Sequence, residues 1–267
     1  MRSSPDRGLS PIVGAVLVIG IFTGLAVTLY SAYSRAASRG EEGETLNSVL
    51  ATLLQAKERM EALENGETFL LSFKLNAGGR AAGTLWVKPE NRAKSENLGR
   101  MGFTFRGMEM EGLTLVLEDG ALIRLSGGSS DLLSPSSLVG MSEVRENGQP
   151  RWLRVDVHHL VVENYEFQLA STSPVSLRFT CTSDNYREKP ENGRPNRENV
   201  VLRLEVSAED KEAWRKYLTY LVSVLPPYYR VSADPATLTL TVLGFEDPGV
   251  KDILYYERWT RVRVEVV

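Results

Sequence analysis

Histidine and cysteine, two residue types that often carry out catalysis and bind metals, are scarce in this sequence. The 267 residues include two histidines, His158 and His159, and they are adjacent. They lie in a run of alternating apolar residues that predicts a strand, so their side chains should point to opposite faces of a sheet. They therefore cannot readily bind one metal ion together, although either could join a carboxylate such as Asp156 or Glu163. We predict no metal site, with one histidine half-buried and the other solvated.

The single cysteine, Cys181, follows Phe179 in another apolar strand. A small core residue is the default interpretation, and one cysteine excludes an intrachain disulfide. The sequence has no phosphate-binding G-x-x-x-x-G-K-[ST] or G-x-G-x-x-G loop, and no H-E-x-x-H, C-x-x-C or G-x-S-x-G motif. We therefore predict no catalytic residue and no cofactor, and we expect that the protein is not an enzyme.

The overall charge argues against a polyanion as partner. The formal net charge is −3, with 42% hydrophobic and 24% charged residues, which is ordinary for a globular protein. Binding to nucleic acid requires a basic face that neutralises phosphates. We therefore expect no nucleic-acid partner.

The most distinctive segment lies near the N-terminus. No charged residue occurs from Gly8 to Ser34, and the stretch Ile12–Tyr30 is almost entirely apolar. As a helix with a rise of 1.5 Å per residue, this stretch would be roughly 28 Å long, close to the thickness of the hydrocarbon core of a bilayer. It is longer than the apolar core of a cleaved secretory signal. We therefore predict a transmembrane helix at residues 9–34.

The residues around the start of this segment resemble a known family. Arg7-Gly8-Leu9-Ser10-Pro11-Ile12-Val13-Gly14, followed by the long apolar run, is similar to the N-terminus of archaeal type IV pilins and pilin-like proteins. The resemblance covers about residues 5–34. The alternative interpretation is an ordinary uncleaved signal anchor that happens to contain Ser-Pro.

The resemblance implies how the chain would be processed and where it would reside. A leader, residues 1–8, would be removed by a prepilin peptidase between Gly8 and Leu9. The hydrophobic segment would remain on the protein, in the membrane before assembly and in a central bundle of helices within a filament. Gly14, Gly20 and Gly24 would allow neighbouring helices to approach closely, both in the membrane and in the filament. Filament-forming archaeal pilins are typically short, so the length of this chain favours a minor pilin or a pilin-like surface protein.

The next two segments differ sharply in pattern. Residues 35–45 are small, charged and glycine-bearing, which predicts a hinge. Residues 46–66 have apolar side chains at helical spacing, which predicts an amphipathic helix. This helix could pack on the domain's own sheet, or it could be a stalk that meets neighbouring subunits; we favour the first.

Beyond residue 66 the period of the pattern changes from that of a helix to two. Many short alternating runs, with a turn at Glu118-Asp119-Gly120, predict strands of a β-rich domain at 67–267. A late helix is predicted between Ser207 and Pro226. The predicted fold class is therefore α+β: an N-terminal transmembrane helix that continues through the hinge into the amphipathic helix, followed by a mostly antiparallel, β-sandwich-like domain.

Together these patterns lead to one functional hypothesis and one alternative. We expect a pilin-like cell-surface protein, processed by a prepilin peptidase, held at the cell membrane by a single pass with its C-terminal domain outside. Its expected partners are the membrane, the peptidase and other pilin-like subunits of a filament or adhesion complex. The alternative is a membrane-tethered extracellular binding domain with an uncleaved signal anchor.

Overall fold

Strands dominate the structure. The computed structural model describes residues 27–28, 40–77, 79–88, 99–107, 110–163, 166–204, 206–244 and 252–267. Of these residues, 51% lie in strands, and there are two helices. The first nine strands in chain order are β1 Thr68–Phe73, β2 Asn76–Ala77, β3 Arg80–Ala81, β4 Gly83–Lys88, β5 Arg100–Phe105, β6 Thr114–Glu118, β7 Ala121–Ser126, β8 Ser129–Ser134 and β9 Val139–Glu146. The later strands are β10 Gln149–Glu163, β11 Phe167–Leu169, β12 Val175–Glu188, β13 Val200–Arg203, β14 Val231–Asp234, β15 Thr239–Val242 and β16 Ile253–Val266.

The strands form two large sheets and two small ones. The first large sheet has the order β1-β12-β16-β10-β9, and the second has the order β11-β4-β5-β6-β7-β8. A three-stranded sheet, β13-β15-β14, and the β2-β3 pair complete the set. Pairing is antiparallel except between β10 and β16, which run parallel. A parallel pair requires a long connection, and here the chain between the two strands contains the helix Lys211–Val224 and the three-stranded sheet.

The long strand β10 contributes to two hydrophobic cores on opposite faces of the first sheet. Leu160 and Val162 belong to one cluster, the first core, whereas Leu153 and Val155 belong to the other, the second core. The register with β16 is continuous from Leu153 to Glu163, so odd and even positions face opposite sides throughout. The end of β10 near Leu160 therefore packs against the first core, and the end near Leu153 packs against the second core on the opposite face.

Helix α1, helical at residues 40–62, closes the first core. Its buried side chains Val49, Leu53, Ala56 and Met60 recur every three or four residues, so they form one stripe. The stripe packs into the cluster that contains side chains of both large sheets. The interpretation that this helix packs on the domain's own sheet is confirmed, because its buried stripe shares a cluster with strand residues of both large sheets.

Helix α2, Lys211–Val224, belongs to the second core, where its buried residues are Ala213, Trp214, Tyr217, Leu218 and Leu221. The helix ends at Leu225, which has extended backbone and precedes Pro226-Pro227. A residue before proline is biased away from helical backbone, which accounts for this end. The late helix therefore falls within the segment that the sequence indicated.

The predicted fold class is wrong in its N-terminal part. No helix within the described ranges combines the length and apolarity needed to cross a bilayer. Residues 40–45 of the predicted hinge are helical and are part of α1. The reason is tertiary: Glu42 and Thr45 are buried, and the Thr45 hydroxyl lies 2.9 Å from the carbonyl oxygen of Asn76 on the sheet domain. Of the predicted segment 9–34 only Val27 and Thr28 are described, both helical and exposed, and the rest lies outside the described residues.

Candidate functional site

The candidate site is a groove on one face of the second large sheet. Alternate residues of β4 face it, namely Thr84, Trp86 and Lys88, while Leu85 and Val87 between them point into the first core. The antiparallel register sets Thr84 opposite Thr104, Trp86 opposite Gly102 and Lys88 opposite Arg100. The groove therefore runs along the β4–β5 pair.

The indole of Trp86 forms the floor of the groove because Gly102 makes room for it. A Cβ atom at Gly102 would lie 2.6 Å from Cζ2 of Trp86 and 2.5 Å from the carbonyl oxygen of Leu115. Trp86 Nε1 donates a hydrogen bond to Thr104 Oγ1 at 3.0 Å. The missing side chain and this bond together hold the ring against β5.

Two cations lie over the Trp86 ring. Lys88 Nζ is 5.4 Å and Arg100 Cζ is 5.5 Å from the ring centroid, both within cation–π range. These contacts fix the two cations at one end of the groove. Arg106, which directly follows β5, lines the other end.

The space between the ends is polar and about 260 Å³ in volume. This is near the lower limit for small-molecule sites. Its lining combines charged, hydroxyl, amide and apolar groups: Thr84, Trp86, Lys88, Arg100, Thr104, Arg106, Thr114, Leu125, Gln168 and Glu209. Thr104 Oγ1 accepts hydrogen bonds from Trp86 and from Thr114, the latter at 3.1 Å, which leaves its own hydrogen available to a ligand.

Arg100 connects the groove to a buried pair of acids behind it. Its side chain is 7% exposed, and Nη1 donates to Asp210 Oδ2 at 2.9 Å, while Nη2 donates to Glu209 at 3.2 Å. Asp210 and Glu118 are almost fully buried. Glu118 accepts hydrogen bonds from Trp214 Nε1 at 3.0 Å and from the backbone N–H of Ser207 at 3.1 Å.

The two buried acids influence each other's pKa. Burial, followed by the nearby charge of Asp210, raises the pKa of Glu118. Burial also raises the pKa of Asp210, but hydrogen bonds from Glu118 and Arg100 act against it. We infer that Glu118 carries a proton and that Asp210 is the anion opposite Arg100. Oδ1 of Asp210 is buried and accepts no other hydrogen bond from the described residues, and the proton on Glu118 can supply one.

The histidines occupy opposite faces of β10, as the alternation predicted. Nε2 of His158 lies 2.7 Å from Thr260 Oγ1, and Nδ1 of His159 lies 3.1 Å from Asp119 Oδ2. Thr260 in turn donates to Asp184 at 2.9 Å, so Nε2–H of His158 must be the donor to Thr260. Burial, followed by the charge of Arg258, lowers the pKa of His158 to about 4. The His158 ring is therefore uncharged at neutral pH, and it donates to the Thr260 hydroxyl, which itself donates to Asp184. We interpret this histidine as a structural element of the sheet.

Cys181 is 1% exposed and belongs to the first core. Burial raises the pKa of its thiol, which disfavours the reactive thiolate. Within the described ranges no group of three or more histidine, cysteine, aspartate or glutamate side chains could hold a metal ion. The processing residues Gly8 and Leu9, and the helix-packing residues Gly14, Gly20 and Gly24, lie outside the described residues.

Most groove residues show in the sequence only as parts of predicted strands. One signal was present in the alternation Thr84-Leu-Trp-Val-Lys88. A tryptophan stands between a threonine and a lysine on the face that the pattern predicts to be polar. No local signal links Arg100 to Asp210. Compared with models of protein families, with curated proteins and with solved structures, the chain matches none.

Proposed function

We propose that the chain is a pilin-like cell-surface protein whose leader is removed by a prepilin peptidase between Gly8 and Leu9. The observation that carries the proposal is the string Arg7-Gly8-Leu9-Ser10-Pro11-Ile12-Val13-Gly14 and the charge-free stretch that follows it to Ser34. A stretch of this apolarity is unfavourable in water. In this proposal the membrane surrounds the segment before assembly, and the same segments of other pilin-like subunits pack around it afterwards.

The β-rich body is the part that this protein would display outside the cell. The buried stripe of helix α1 packs into the first core, so the helix is part of this body. The groove beside Trp86 gives the body a surface that can bind a ligand. We propose adhesion or assembly as the role, and no catalysis.

Mass spectrometry of the protein isolated from its native membrane tests the proposal. We expect a mature chain that begins at Leu9. A Gly8→Val variant, which places a branched side chain at the cut, should retain the leader, whereas Gly14→Ala should be processed normally. A native chain that still begins at Met1, or one cut beyond residue 30, would contradict the proposal.

A membrane-tethered binding domain with an uncleaved anchor is the second candidate. The groove favours it, because binding by the body requires neither processing nor assembly. Replacement of Leu9–Tyr33 by an unrelated apolar segment separates the two candidates. A simple anchor should tolerate the exchange, whereas a filament subunit should lose assembly because the small residues Gly14, Gly20 and Gly24 would be lost.

A further inference from the structure

The charges of the groove are compensated at some positions and uncompensated at others. Arg100 is bound by two carboxylates, Asp210 and Glu209. Lys88 and Arg106 form no ion pair with the described part of the chain, although both line the groove. Among the described residues that line the groove, the positive charges available to a ligand are therefore Lys88 and Arg106.

These two cations lie at opposite ends of the groove. Lys88 is opposite Arg100 at the start of β5, and Arg106 directly follows Phe105 at its end. Arg106 is six positions after Arg100, so their Cα atoms are about 20 Å apart in extended chain at 3.3–3.4 Å per residue. Both side chains reach into the same groove, so a ligand that meets both must be elongated.

The residues between the ends are neutral, and apart from Leu125 and the ring face of Trp86 they offer hydrogen-bonding groups. Thr104 has a hydroxyl hydrogen to donate, and Thr114 has free acceptor capacity since it donates to Thr104. Thr84 and Gln168 add a hydroxyl and an amide, neither with a side-chain hydrogen bond to a described residue. This middle section suits a ligand that carries many hydroxyl groups.

We propose that the groove binds an acidic oligosaccharide, in which carboxylate-bearing rings meet Lys88 and Arg106 and ring hydroxyls meet the threonines and Gln168. A run of uronate rings has this chemistry, because each ring has one carboxylate and several hydroxyl groups. Charge-assisted hydrogen bonds at the two ends supply selectivity for acidic over neutral sugars. The proposal goes beyond the proposed function and does not depend on processing at Gly8.

Calorimetric titration of the full-length chain in a non-ionic detergent tests it, with digalacturonate as the probe. We expect digalacturonate to bind at least about tenfold more tightly than a neutral galactose disaccharide, galacturonate alone or inorganic phosphate. Lys88→Gln and Arg106→Gln should each weaken binding of digalacturonate by about fivefold, and the double variant by roughly the product. Arg178→Gln, at an exposed cation on β12 of the other large sheet, is the matched control and should bind as the native chain does.

Each contrary result overturns a stated part of the proposal. Equal binding of the neutral disaccharide excludes recognition by charge, and equal binding of single galacturonate excludes the two-ended mode. Equal binding of phosphate excludes a saccharide, and no binding of digalacturonate excludes the assignment. Near-ultraviolet circular dichroism confirms that each variant is folded, so lost affinity is not misread as lost structure.

Discussion

Arg100 Nη1 and Asp210 Oδ2 lie 2.9 Å apart, although 110 residues separate them in the sequence. The contact joins β5 to the residue that immediately precedes α2. It also joins the open groove to the buried acid pair. We inferred above that Glu118 is protonated, so the one negative charge of the buried pair lies on Asp210. Arg100 is the main cation that compensates this charge.

Replacement of Arg100 should therefore be strongly destabilising. We expect Arg100→Leu to lower the free energy of unfolding by about 3–5 kcal/mol, since it leaves the Asp210 carboxylate buried without its cation. Denaturant titration measures the change. Arg124→Leu is the matched control: Arg124 pairs with Asp131, but both side chains are at least 40% exposed, so the loss should stay within about 1 kcal/mol. Similar losses in the two variants would contradict this account of Asp210.

The contact between Gly102 and Trp86 makes a second prediction. Gly102→Ala should lower the free energy of unfolding by about 1–3 kcal/mol, because the added methyl group overlaps the indole and the Leu115 carbonyl oxygen. The emission spectrum of Trp86 should change as the ring is displaced. Gly140→Ala in β9 is the control, since the nearest atom to its Cβ is 3.8 Å away, and it should leave stability almost unchanged.

Glu118 should make the protein less stable as the pH rises. Its pKa is higher in the folded state than the 4.5 of a free glutamate side chain, so the folded state binds more protons above that pH. Its contribution to stability is therefore complete at acid pH and is lost as the pH rises toward the folded-state pKa. Glu118→Gln keeps the shape and a donor toward Asp210, and its stability should fall less between about pH 5 and 8. An unchanged pH profile would contradict a protonated Glu118.

His158 should act with the opposite sign. Its pKa is about 4 in the folded state against 6.5 for a free side chain, so the unfolded state binds more protons between these values. Stability should fall as the pH drops from 6.5 to 4, against a background of Arg258, Asp119, Asp184 and His159, whose charges also act on this ring. His158→Gln preserves a donor to Thr260 and should reduce this acid loss, as thermal unfolding at several pH values would show.

Helix α1 should behave as part of the body. Leu53 is 0% exposed within the first core, so Leu53→Ala should cost about 2–5 kcal/mol. Leu50 lies on the same helix but is only half-buried, and Leu50→Ala should cost clearly less. Equal and small losses in a monomeric protein would indicate that the helix is not held by this core.

The periodic elements were accessible to sequence reasoning because their patterns are local. The stripe Val49, Leu53 and Met60 predicted a helix that packs on a sheet, and the alternation in β10 predicted that His158 and His159 face opposite sides. The hinge prediction failed at residues 40–45 because local composition does not reveal that Thr45 is held by Asn76.

The sequence by itself determined the alternation of the strands, the amphipathic helix, the lack of common catalytic motifs and the pilin-like string at Arg7–Gly14. Only the tertiary structure decided that β10 serves two cores from opposite faces, that Gly102 admits Trp86, and that Arg100 meets Asp210. Periodicity reports which face of one element is apolar. It carries no information about which distant element covers that face, because the pairing depends on packing and on charges brought together by the whole chain.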